Sequence, residues 1–109
     1  MKNENELADI KTALSEKHKT LYTLVVPIDE DETVFATIYL KKMDRLILSA
    51  IQKILSTNDV LKAIEVYLKS TYVGGDEIEL VTGNFESIRA CTDSVFEMMT
   101  AKKSSLKKN

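Results

Sequence analysis

The sequence predicts an α+β fold: one antiparallel β-hairpin packed with about four to five short α-helices, helix-rich in its C-terminal half. Three observations carry that prediction. Two runs of β-branched and aromatic residues, LYTLVV at 21–26 and TVFATIYL at 33–40, flank the turn-forming PIDEDE. Apolar residues recur at helical spacing on both sides of this pair, as they do in helices that bury one stripe. Polar caps and glycines divide the C-terminal half into pieces. A chain of 109 residues has room for one modest core, so 1–109 reads as a single domain. Its parts are an N-terminal amphipathic helix within 1–18, the hairpin over 20–40, a helical part over 43–101 and a basic tail at 102–109.

From the N-terminus, Leu7, Ile10 and Leu14, with Ala13 beside them, form a narrow apolar edge on a charged segment and predict a short helix over about 5–17. Such a helix is marginal alone in water, so it either docks on the domain or waits for a partner. Lys17, His18 and Lys19 read as a solvated connector. In the hairpin, Pro27 forbids a ladder donor and Asp29, Glu30, Asp31 and Glu32 belong in water, which makes an acidic tip. This cluster lacks the glycine and the spaced terminal glutamate of an EF-hand loop, so no metal is expected there. Alternation places Val34, Ala36, Ile38 and Leu40 on one face of the second strand and Phe35, Thr37 and Tyr39 on the other. Both faces carry large apolar groups, which calls for helices on one side and the N-terminal helix or a partner protein on the other.

Asp44 then reads as a helix N-cap, with Met43 and Leu48 placed as a hydrophobic staple. Leu46, Ile47, Ala50, Ile51, Ile54 and Leu55 make a stripe wide enough to pack on the hairpin. The next helix opens near Thr57 or Asn58, with Asp59 favoured by the helix dipole, and carries Val60, Leu61, Ile64, Tyr67, Leu68 and Thr71 at helical spacing. Gly74 and Gly75 are expected to stop it, leaving Asp76 and Glu77 pointing outward. Ile78, Leu80 and Val81 suggest a short turn or helical piece. Asn84 caps a final helix to about Ala101, marked by Phe85, Ile88, Thr92, Val95, Phe96 and Met99.

Function classes are narrowed by what is absent. A net charge of -2 gives no general attraction to nucleic acid or anionic membrane, and Lys102, Lys103, Lys107 and Lys108 have no interleaved aromatic residue to stack on bases. Apolar runs are too short to span a bilayer, and MKNENELADI lacks the pattern of a secretory signal, which predicts a cytoplasmic protein. Cys91 and His18, the single cysteine and histidine, offer no zinc set and no convincing nucleophile pair, so no catalytic residue, metal or cofactor is expected. GGDE at 74–77 has the look of a diguanylate-cyclase signature but stands without the large α/β domain such enzymes need.

The order of parts, with YLKKMDR closing the hairpin, LSA in the following helix, then LKAIEVYLKSTYVGGDE and a lysine tail, resembles a group of small proteins from the tail modules of Bacteroides and Bacillus phages and prophages, which look like tail assembly chaperones. The markers are Tyr39 to Arg45, Leu61 to Leu68 and Gly74 to Glu77. That resemblance implies a non-enzymatic role in the host cytoplasm, binding the tape measure protein, a long helical protein, until tail tube subunits assemble around it. An exposed amphipathic helix needs an apolar groove. Phe35 and Tyr39, with Tyr67, are the candidate groove residues, and the acidic tip Asp29 to Glu32 would set orientation and on-rate. The alternative puts all three aromatics in the core. A different class remains open beside this one, a structural virion or connector component that self-associates as a homo-oligomer through the hairpin.

Overall fold

Strand β2 (Phe35–Lys41) is the centre of a three-stranded sheet of order β1-β2-β3, flanked by β1 (Leu21–Pro27) and β3 (Tyr72–Gly75), with both pairings antiparallel. The structure is a computed structural model and describes residues 1–97. Around the sheet are α1 (Glu4–Lys17), α2 (Arg45–Leu55), α3 (Val60–Thr71), α4 (Glu79–Thr82) and α5 (Phe85–Ala90), and residues 92–97 resume a helix after a turn at Cys91. The predicted continuation of the last helix through Met98 and Met99 to Ala101, and the lysine tail, lie outside the described residues.

The α+β class is as the sequence predicts. Period-2 alternation in β1 and β2 puts Leu24, Val26, Ala36, Ile38 and Leu40 on one face, where they meet Ile51, Ala63, Ile64, Tyr67, Leu68, Val81, Ile88, Cys91 and Val95 in the core. Helix α1 lies on the opposite face. Its Ile10 and Leu14 sit over Gly74, where a Cβ would come within 2.9 Å of Leu14 Cδ1. The helix therefore docks, although none of its residues is fully buried. Asn3 caps it by accepting the Glu6 amide at 2.9 Å.

Three local expectations are corrected. Asp59, not Thr57 or Asn58, caps α3 by accepting the Lys62 amide at 3.2 Å, while Asn58 takes a left-handed φ of 65° in the preceding turn. Helix α3 ends at Thr71, before the glycines, and Tyr72–Gly75 is a third strand rather than the end of a helix. Its pairing with β2 shifts register between Tyr39 and Leu40 and leaves Val73 as the extra residue of a bulge. Gly75 has φ 104°, a conformation open to glycine, and a Cβ there would lie 2.5 Å from the Thr37 carbonyl oxygen. Asp76 is the third correction. It is 2% exposed instead of pointing outward, whereas Glu77 is exposed.

The stripe of α2 is narrower than its sequence suggests. Asp44 caps the helix, accepting the Ile47 amide at 2.9 Å, but Ile51 is its one buried residue and Leu46 is 82% exposed. Ile47, Ile54 and Leu55 are only partly buried, and the helix packs chiefly on α3 rather than on the hairpin.

Candidate functional site

The face of the sheet that carries α1 is only half covered. Residues directly opposed in an antiparallel pair share a face, so Thr23, Val25 and Pro27 of β1 lie beside Tyr39, Thr37 and Phe35 of β2. Helix α1 closes the end nearest β3. There Tyr39 is 3% exposed, its hydroxyl donates to the Leu7 carbonyl at 3.2 Å, and burial, with the charge of Asp76 adding to it, raises its pKa above the ordinary phenol value. The other end is open: Val25 is 54% exposed and Phe35 47%.

This distribution corrects the expected groove. Phe35 is accessible, Tyr39 is beneath α1, and Tyr67 lies on α3 on the far side of the sheet, 1% exposed, with its hydroxyl pushed up to about 12 by burial and then by Tyr22. Tyr67 falls inward because it shares the α3 face of Ala63, Ile64, Leu68 and Thr71, all buried against the sheet. The three aromatics do not form one surface.

A buried carboxylate organises the covered end. Asp76 Oδ1 accepts the Lys2 amide at 2.8 Å and Oδ2 accepts the Thr37 amide at 2.8 Å, while its own amide donates to the Thr37 carbonyl at 2.8 Å. The side chain thus extends the β2 ladder beyond Gly75 and ties down the residue that leads into α1. Tyr72 reinforces it by donating its hydroxyl to the Asp76 carbonyl at 2.8 Å. Sequence reasoning missed both Asp76 and Val25. Only the glycine pair in front of Asp76 hints that the chain there makes a close backbone approach.

At the acidic tip, Asp29 is part of the turn. Its Oδ1 accepts the Thr33 and Val34 amides at 2.8 and 2.9 Å and its Oδ2 accepts the Thr33 hydroxyl, and these bonds, the hydroxyl's first, lower its pKa. Glu30, Asp31 and Glu32 face solvent, with Glu32 at a left-handed φ of 56°. Between the tip and α5 runs an open cleft of 790 Å³, bordered by Pro27, Asp29, Glu32, Ser87 and Arg89. Ser87 Oγ closes its floor by donating to the Pro27 carbonyl at 3.0 Å.

Cys91 is 3% exposed, its thiol donates to the Ile88 carbonyl at 3.2 Å, and burial pushes it up to about 11, so it is a protonated buried group at neutral pH. Among the described residues no three His, Cys, Asp or Glu side chains are placed to hold a metal ion, and no helix is long and apolar enough to cross a membrane. No protein-family model, no curated protein and no solved structure matches the chain.

Proposed function

We propose that this chain is a non-enzymatic helix-binding protein, a phage tail assembly chaperone that holds an amphipathic segment of the tape measure protein in the host cytoplasm until the tail tube assembles. The observation that carries the reading is the half-covered sheet face. One half is already occupied by an amphipathic helix, α1, and the other presents Val25 and Phe35 to solvent. A helix that shields its apolar stripe there gains burial that these side chains lack in the free protein. The exposed acids Glu30, Asp31 and Glu32 lie at the same end of the hairpin and favour a basic approach, which bears on encounter rate more than on affinity.

The test is a pull-down of tagged protein from cells expressing the neighbouring genes of its module, read by mass spectrometry, with wild type beside Val25→Ser/Phe35→Ser. Both residues are half-exposed, so the double variant should keep its circular dichroism and lose a very long, helix-rich partner recovered at stoichiometric yield by the wild type. A folded double variant that retains the partner overturns the site, and a wild type that recovers no such partner overturns the function. A second reading, a virion component that self-associates through the hairpin, is favoured by the open edge of β1. Its mark is presence of the protein in purified particles.

A further inference from the structure

Strand β1 is an outer strand of the sheet, and among the described residues nothing pairs with its far side. Which of its groups face outward follows from the alternation of an antiparallel ladder. The Ile28 amide donates to the Val34 carbonyl at 2.9 Å, and Thr37 turns its amide and carbonyl away from β1 toward Asp76. Given the register Val26↔Ala36, Val25↔Thr37 and Leu24↔Ile38, the residues that bond inward are Tyr22, Leu24 and Val26. Leu21, Thr23 and Val25 therefore turn both N–H and C=O to the open edge. Pro27 has no N–H, and its carbonyl is taken by Ser87, which ends the usable stretch.

We propose that two copies of this chain pair antiparallel through β1, centred on Thr23, to make one continuous six-stranded sheet from two three-stranded ones. A row of outward amides and carbonyls is satisfied in full by another strand and not by a helix. The chain's own β1 fits that requirement. Centring on Thr23 sets Thr23 against its symmetry mate and Leu21 against Val25 of the second copy, so every outward group from Leu21 to Val25 finds a partner. Centring on Val25 instead sets Thr23 against Pro27, which has nothing to donate. No charged residue lies within LYTLVVP, so two copies meet without like-charge repulsion, and the strand carries none of the lysines by which edge strands avoid pairing. The two-fold axis stands perpendicular to the sheet, which keeps the helix-covered face continuous and lays Leu21 of each copy beside Val25 of the other. The half-exposed Val25 thereby gains an apolar neighbour.

This inference does not rest on the helix-binding reading, because it is measured on the purified protein alone. Light scattering coupled to size exclusion should return twice the 12.3 kDa of one chain. Thr23→Pro deletes an edge donor without touching the β2 ladder and, by losing two symmetry-related hydrogen bonds, weakens dimerisation about 30-fold or more. Thr23→Lys and Thr23→Glu, at an exposed position, should each be monomeric alone, and an equimolar mixture should recover the dimer because position 23 faces itself. The charge pair decides the matter even where Thr23→Pro fails to fold. A wild type that stays monomeric at concentrations on the order of 100 μM overturns the proposal, as do charge variants that dimerise as tightly as wild type or a mixture that does not.

Discussion

Asp76 is where the fold concentrates the most consequence in one side chain. It is 2% exposed, and its carboxylate accepts the Thr37 and Lys2 amides, both at 2.8 Å. A hydrogen bond to a charged group contributes about 1.5–3 kcal/mol, and the Thr37 amide is fixed in place by the central strand. The Lys2 amide is near the terminus and reaches water once released, so its share is nearer ~1 kcal/mol. Asp76→Ala should therefore cost about 3 kcal/mol, a large fraction of the ~5–15 kcal/mol that holds a domain together. Asp76→Asn keeps the shape and one acceptor but sets an amide donor against the second N–H, and should cost ~2 kcal/mol. Urea unfolding followed by circular dichroism gives these differences as midpoint shifts at constant slope. Lys2→Pro, which removes only the Lys2 donor, completes a double-mutant cycle: its cost should be near ~1 kcal/mol in wild type and vanish beside Asp76→Ala. Hydrogen exchange at the Thr37 amide should accelerate in both Asp76 variants. An Asp76→Asn protein within ~0.5 kcal/mol of wild type, with Thr37 equally protected, would refute the claim that the carboxylate holds this corner.

Four further outcomes are expected. Gly75→Ala forces a non-glycine residue to φ 104° and aims its Cβ at the Thr37 carbonyl oxygen, backbone that cannot swing aside, so thermal and urea unfolding should show a loss of at least ~2 kcal/mol. Gly74→Ala meets only the side-chain ends of Leu14 and Ile10 and should cost ~1 kcal/mol or less, with faster hydrogen exchange confined to α1. Cys91 and Tyr67 give an alkaline limit: the folded state holds their protons up to about 11 and about 12, against ordinary values of 9.0 and 10.0. Stability from these groups is present in full below pH 9 and is lost as pH rises through about 11 and 12, which a series of Tm values against pH will trace. Ellman's reagent at pH 8 should leave Cys91 untouched in the native protein and titrate it fully in urea.

Both hairpin strands, the caps at Asp44 and Asn84 and the buried stripe of α3 at Ile64, Tyr67, Leu68 and Thr71 were legible because each rests on local chemistry: alternation, a carboxylate or amide in front of free amides, an apolar stripe. Phe85, expected on the inward stripe of the last helix, is instead 58% exposed. What was not legible depends on contacts made far along the chain. Tyr72 to Gly75 reads as the end of a helix until β2 is available to pair with it, and four residues carry too little periodicity to announce a strand. Asp76 reads as a solvated acid because its two donors, at positions 2 and 37, are distant in sequence. The aromatic groove failed for a related reason. Tyr39 and Phe35 alternate correctly onto the outer face, but sequence does not say how far across that face α1 reaches. Tyr67 shares its helical stripe with core residues, and a hydroxyl at the ring's end does not change which way the stripe turns.

The placement of α1 explains why the outer face is divided. Isolated, a helix of 14 residues with three half-buried aliphatic contacts is marginal, so its position is set by the sheet rather than by its own propensity. Three anchors fix it: the Lys2 amide on Asp76, the Leu7 carbonyl under the Tyr39 hydroxyl, and Ile10 with Leu14 over Gly74. All three lie toward β3, because only there does a glycine let a helix come this close to the strands. Toward β1 the same face carries the half-exposed Val25 and Phe35, and the three anchors of α1 lie away from them. Tyr39 belongs to both halves by position and to the covered half by contact. It becomes accessible beside Phe35 only when α1 lifts, and that opening has to break the Asp76 and Tyr39 hydrogen bonds together. The open half is therefore accessible without disturbing the fold, while exposing the covered half costs those hydrogen bonds.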